Sequence, residues 1–428
     1  MTHHVILGAG PAGVIAAETL RQHAPLDTIT LVGEESEPPY SRMAIPYLLM
    51  GNIAESGTYL RKSPSHFADL RIRQHPGQAR KVDIAARVVT LADGQILPFD
   101  KLLIATGSRP VRPPIPGMDS AGVHPCWTLD DARHIMALAQ PGARVLQMGA
   151  GFIGCIIMEA LASRGVALTV VEMGDRMVPR MMGPTAGGMI KNWCETKGVK
   201  VFSSTKVEEI TAGQPMAVRL SNGQTLQADL VISATGVRPA IGFLEGSGIT
   251  CDHGVVTDAQ LQTNVPGIYA AGDCAQAFDQ RSGQTVVSAI QPNAADQARV
   301  AAFNMLGRAQ ALKGVTQINV LDTLGMISTS FGAWQGVAKE DGGDHVELTD
   351  LAAGKYLSLQ FAGDTLVGCN SVGWTDHVGV MRGLVEGRVR LGEWAGHLKA
   401  DPTRLMAAYL ATAQAQNSWN GAQDERRR

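Results

Sequence analysis

One arrangement occurs twice in this chain and constrains its fold more than any other feature. In "HHVILGAGPAGVIAAETL" a short apolar β run meets Gly8, Gly10 and Gly13 in GxGxxG spacing, and a helical pattern follows to about Arg21. A second β run, "TITLVGEE", ends at Glu34. The first glycine permits a tight turn, the second lets backbone approach a pyrophosphate, and the third lets helix pack on strand. The helix N-terminus then faces the phosphates, and the acid about 20 residues on accepts a ribose hydroxyl. "ARVLQMGAGFIGCIIMEALASRGVALTVVEM" repeats the plan with Gly149, Gly151, Gly154 and Glu172. Two such units imply two bound dinucleotides and an α/β chain with two Rossmann-like domains. A carboxylate at Glu172 repels a 2′-phosphate, so the expected pyridine nucleotide is NADH over NADPH, a preference that Arg176 could soften.

A further echo links the halves. "KLLIATGSRP" and "DLVISATGVRP" are each an apolar strand running into ATGxRP, where glycine turns the chain near a ligand and proline stiffens the exit. Later, "GIYAAGDCA" delivers Gly272 and Asp273 from a strand spanning Gly267 to Ala271, with the acid expected at a following helix start.

Composition narrows the function. At 428 residues and 45% hydrophobic the chain can build two or three cores. A net charge of -2 and a pI near 6.6 give no reason to expect nucleic acid or an anionic membrane as partner. The apolar run from Val5 to Ala17 lacks a basic leader and is broken by three glycines and a proline, which argues against a signal peptide or membrane span. A cytoplasmic protein is expected. The six cysteines show no CxxC or CxxxxC spacing, so they read as core hydrophobes and no metal is expected. His3-His4 reads as a polar start to the first strand. The ending "DERRR" reads as a solvated tail.

GAGPAG, ATGSRP, GAGFIG, ATGVRP and GIYAAGD stand in the order that resembles the FAD-dependent pyridine nucleotide-disulfide oxidoreductase superfamily. The resemblance implies an FAD domain at 1–112 and 252–312, an inserted NAD domain at 113–251, and an α+β interface domain at 313–428 that makes homodimers or docks partners. It places FAD on Gly8, Gly10, Pro11, Ala12, Gly13, Glu34, Arg42, Ala79, Ala105, Thr106, Gly107, Arg109, Gly272 and Asp273. Pro292, in "IQPNAADQA", would start the helix beside the flavin ring. Gly149, Gly151, Ile153, Gly154, Glu172 and Gly236 complete the nucleotide positions.

Within that superfamily the chain looks most like single-FAD NADH reductases of the ferredoxin or rubredoxin kind and the flavin part of nitrite reductases. "MAIPYLLMG" aligns with the segment where other members carry a redox cysteine, and Met43 occupies its position. A thioether forms no thiolate, so electrons entering from NADH must leave the flavin directly for an acceptor. The implied acceptor is a small redox protein or an enzyme component. Direct oxidation by O2, and a redox-signalling role resembling apoptosis-inducing factors, remain as alternatives. No general acid or base stands out. One departure matters for nicotinamide: many relatives carry glutamate where "GFIGCIIME" has Ile156, and Glu159 falls elsewhere on the turn. His66, Trp374 and His377 read as core or interface residues. Thr128 is the expected N-cap of a helix with Asp130 and Asp131 in its first turn.

Overall fold

The structure, a computed structural model, describes residues 1–279, 284–315 and 318–420, with side chains through residue 412. The "DERRR" ending lies outside the described residues. The chain folds into two compact units: Met1–Val111, Trp127–Arg133 and Gly236–Val315 form one, and Arg112–Cys126, His134–Thr235 and Thr316–Arg428 form the other.

The first unit is built on a parallel sheet in the order Ile268–Ala270, Lys101–Ile104, His3–Leu7, Thr28–Gly33, Ile72–Pro76. Side chains alternate across a strand, so successive residues of His3–Leu7 serve two cores. Ile6 packs with Val14, Leu20, Leu103 and Ala301, beneath the helices Pro11–His23 and Gln291–Met305. Val5 and Leu7 pack on the other face with Val82, Val89 and Leu91 of an antiparallel sheet, Ala79–Asp83, Val88–Leu91 and Ile96–Pro98. Asp93-Gly94 closes the last hairpin, with Gly94 at φ +85°. The segment Trp127–Arg133 carries the expected cap: Thr128 Oγ1 accepts from the Asp131 amide at 3.1 Å, and Asp131 Oδ2 accepts from the Thr128 amide at 2.8 Å.

The second unit repeats the parallel plan with Lys200–Phe202, Ala167–Val171, Arg144–Met148, Leu230–Ser233 and Val123–His124 in sheet order. It also holds a five-stranded antiparallel sheet: Ile318–Thr323, Met326–Gly332, Thr365–Val372, Lys355–Ala362, Gly343–Asp350. One face of that sheet packs Phe331, Leu357, Leu359 and Phe361 against the helices Val378–Glu386 and Trp394–Ala400. Its other face carries Ser328, Ser330, Ser358 and Asn370, all almost fully buried. The helices Phe152–Ser163 and Pro184–Thr196 adjoin this sheet. Among the described residues no helix is long and apolar enough to cross a membrane.

Asp273 departs from the sequence expectation in its surroundings. The turn after Ile268–Ala270 leads into the strand Ala275–Asp279, not a helix. Pairing with Val255–Val256 and Gln284–Val286 supplies that strand's hydrogen bonds, which no local pattern announces.

Candidate functional site

Each glycine motif builds its own turn at a helix start. In the first, Gly8 sits at φ +112°, and a Cβ there would lie 2.1 Å from the Ala105 carbonyl oxygen. At Gly13 a Cβ would lie 1.9 Å from the Gly8 carbonyl oxygen. Both glycines are required by the packing of turn, helix and neighbouring strand. Gly10 is different: it caps the helix Pro11–His23, and nothing lies within 4 Å of its would-be Cβ. Open space in front of free helix amides is what a phosphate needs.

Around this turn the chain gathers polar groups from distant segments. Glu34, just beyond its strand, pairs with Arg109 at 2.5 Å. Arg109 lies on Ser108–Pro110, which pairs antiparallel with Val237–Pro239, so the two ATGxRP exits form one ribbon. Thr106 Oγ1 donates to the Ala240 carbonyl at 2.9 Å, the Ala240 amide donates to Gly107 O, and the Val111 amide donates to Gly236 O. Gly236, at φ +107°, therefore belongs to the first unit.

Asp273 is reached by the Ser108 hydroxyl at 2.9 Å, and burial pushes its carboxyl pKa up. The Gly272 amide donates to Gln297 Oε1 at 2.7 Å, while the fully buried Gln297 Nε2 has no partner among the described residues. A half-buried carboxyl and an unpartnered amide beside an open helix N-terminus fit a phosphate-bearing, hydroxyl-rich ligand.

Arg42 lies in a cluster that sequence reasoning missed. Its guanidinium pairs with Glu35 at 2.7 Å and donates to the Trp127 carbonyl at 2.6 Å, with the rings of Tyr40 and Trp127 centred 5.5 and 5.3 Å away. Trp127 Nε1 donates to Ser108 O at 3.0 Å, tying this cluster to the Asp273 group. Met43, one residue on, is half exposed. Ser41 Oγ donates to Gln291 Oε1 at 2.7 Å, which brings the start of Gln291–Met305, with the exposed Pro292, to the same neighbourhood. Ala12 packs in the core behind the turn, and Ala79 stands on the antiparallel sheet opposite Leu91, packed on the core that holds Leu7 and Val32. His66 is held by Glu18 at 2.7 Å in a cluster with Arg61.

The second site repeats the glycine logic. Gly149, at φ +97°, would place a Cβ 2.4 Å from Ala234 O, Gly154 would place one 2.5 Å from Gly149 O, and Gly151 faces open space at the helix N-terminus. Gln147 Nε2 donates to both Gly149 O and Gly154 O at 2.9 Å, bracing the turn from beneath. Glu172 accepts from the Ala150 amide at 2.6 Å and the Gly174 amide at 2.7 Å, one bond on each carboxylate oxygen. Arg176 is spent locally on Asp175, Met182 O and Pro179 O. Ile153 and Ile156 are partly exposed on the helix Phe152–Ser163. Glu159 is half-buried, and burial together with the nearby Asp322 raises its pKa, so it looks toward the C-terminal sheet.

Four of the cysteines, Cys155, Cys194, Cys274 and Cys369, are buried; Cys251 is exposed and Cys126 partly so. Burial pushes the Cys194 thiol up to about 12 and raises the other three buried thiols as well. Thiolate chemistry is suppressed at all four.

Comparison with known proteins agrees with this geometry. Residues 2–296 match the family model described as pyridine nucleotide-disulphide oxidoreductase. The NADH-dependent phenylglyoxylate dehydrogenase subunit epsilon of Aromatoleum evansii is 33% identical over 408 residues, 94% of this chain and 95% of that protein. An NADH oxidase of Methanocaldococcus jannaschii is 31% identical over 314 residues, 71% of this chain and 70% of that protein. The reductase in the crystal structure of the covalent putidaredoxin reductase-putidaredoxin complex superposes with a TM-score of 0.86 at 25% identity, covering 96% of this chain and 99% of that one. With two glycine turns built alike and the model matched over more than half its length, the chain belongs to the pyridine nucleotide-disulphide oxidoreductase family.

Proposed function

We propose that this protein is an FAD-dependent oxidoreductase that takes hydride from NADH and passes electrons to a small redox protein or to a component of a redox enzyme. The observation that carries the reading is Met43, half exposed beside the Arg42 cluster where a thiol relay would stand. FAD, when bound, supplies a ring that accepts hydride and releases electrons without help from cysteine. The first site's residues would hold it: Gly8, Gly10 and Gly13 by letting backbone approach, Glu34 and Asp273 as hydroxyl acceptors, and Arg42 as a cation for the pyrophosphate. Ala105, Thr106, Gly107 and Arg109 would border it. Gly149, Gly151, Ile153, Gly154 and Glu172 would hold NADH, and the preoccupied Arg176 supports a preference over NADPH.

Residues 1–112 and 252–312, with 127–133 and 236–251 that fold alongside them, are assigned to FAD, the rest of 113–251 to NADH, and 313–428 to an interface used for homodimerisation. The protein is assigned to the cytoplasm. The acceptor reading draws support from the putidaredoxin complex and the dehydrogenase subunit; the NADH oxidase relative favours O2 as a second acceptor. Anaerobic stopped-flow separates them. NADH is expected to bleach the flavin band and an added ferredoxin or rubredoxin to restore it. Turnover that proceeds only with O2 would make the protein an oxidase, and a flavin that NADH does not reduce would end the proposal.

A further inference from the structure

The segment after Glu172 is held in an unfavourable conformation by a residue from far along the chain. Val178 lies at φ +47° and is 1% exposed. A β-branched side chain rarely adopts left-handed backbone, and such positions persist only where the surroundings over-determine them. Here the Val178 amide donates to Ala150 O at 2.9 Å, inside the glycine turn, while the Met181 and Met182 amides both donate to Val178 O at 2.9 Å. Gly187 of the helix Pro184–Thr196 comes so close that a Cβ there would lie 2.7 Å from Met177 O. From 189 residues away, Asn370 Nδ2 donates to Met181 O at 2.9 Å. Asn370 is 2% exposed on an inner strand of the C-terminal sheet, between Ser330 and Ser358.

The chain of bonds is continuous. Asn370 fixes Met181, Met181 closes on Val178, Val178 holds Ala150, and the Ala150 amide holds Glu172. We propose that Asn370 is a positioning residue for the pyridine nucleotide: it keeps the strained 173–183 segment closed and thereby fixes the turn and the acid that meet the adenosine half. This rests on assigning NADH to the second glycine motif. The C-terminal sheet thus acts on nucleotide affinity without touching the nucleotide.

The test is calorimetric titration of the FAD-loaded protein with ADP-ribose, which carries the pyrophosphate and ribose but no nicotinamide. N370L is expected to weaken binding about tenfold, the loss that goes with removing a buried hydrogen bond and leaving its acceptor unpaired. FAD content should stay at the wild-type level. Adding V178G to N370L should restore affinity, since glycine removes the Cβ cost that the brace offsets. If N370L does not fold, N370S, which suits its serine neighbours yet cannot reach Met181, carries the same expectation. Weakened binding that V178G fails to rescue would make Asn370 a merely structural residue and overturn the proposal. Should E172A weaken ADP-ribose while N370L and N370S do not, the proposal fails and the NADH assignment stands. Should E172A have no effect either, that assignment itself is wrong.

Discussion

The Ser108 hydroxyl donates to Asp273 Oδ2 at 2.9 Å across 165 residues of sequence, fastening the first ATGxRP ribbon to the Gly-Asp turn. Because burial raises the Asp273 pKa, this bond is one of few influences favouring the charged form that can accept from a ribityl or ribose hydroxyl. S108A should weaken FAD binding by about fivefold, the size of one net hydrogen bond, and D273A by more. Flavin released on dilution, read by its fluorescence, measures both.

Neighbouring glycines of one motif should fail in different ways. G8A and G13A drive a methyl into carbonyl oxygens and should cost more than about 2 kcal/mol of stability. G10A meets no protein atom within 4 Å. It should fold with a near-normal Tm as apoprotein and yet retain little FAD. Thermal melts of apo and FAD-loaded protein separate the two classes.

E172A removes the acceptor of two backbone amides along with the charge proposed to repel a 2′-phosphate. KM for NADH should rise, and the ratio of kcat/KM for NADH over NADPH should fall by about tenfold or more. Steady-state kinetics with both nucleotides decides it; an unchanged ratio removes Glu172 from nucleotide choice.

Electron transfer should survive loss of the accessible thiols. The double variant C126S and C251S, treated further with iodoacetamide, is expected to keep its NADH-driven reduction of a protein acceptor within about twofold, since the buried thiols hold their protons. Loss of turnover with FAD still bound would restore a cysteine relay to the mechanism.

His4 gives the fold an acid-sensitive point. It is fully buried, its Nε2 lies 3.0 Å from Asp27, and burial lowers its pKa from 6.5 despite that carboxylate, with Lys101 and His3 adding to the lowering. The native state therefore binds fewer protons than the unfolded chain. The stability this provides is present above 6.5 and lost as pH falls through the folded-state value. H4Q, which keeps a donor for Asp27, should flatten the Tm profile between about pH 7 and pH 5.

The glycine turns were legible in the sequence because their rule is local: spacing alone dictates which residues must lack a Cβ. The same holds for Thr128 and Asp131, whose cap closes within one turn. Arg42 was found, but its holder Trp127 was not, because the two meet across 85 residues of sequence. Asn370 looked like any strand residue. Its role depends on a polar sheet face packing on helices, and hydrophobic periodicity carries no signal for that. Asp273 was expected at a helix start, but the strand that follows it is set by distant partners that no local pattern announces.

The ribbon of Ser108–Pro110 and Val237–Pro239 has an engineering consequence. Outgoing and returning polypeptide are neighbours there, about 5 Å apart as in any β ladder. A short hairpin could replace everything between them, provided Trp127–Arg133 is supplied on it, and the flavin half should still fold. Whole nucleotide modules could be traded at that junction, as cartridges, together with the C-terminal sheet that packs on their helices.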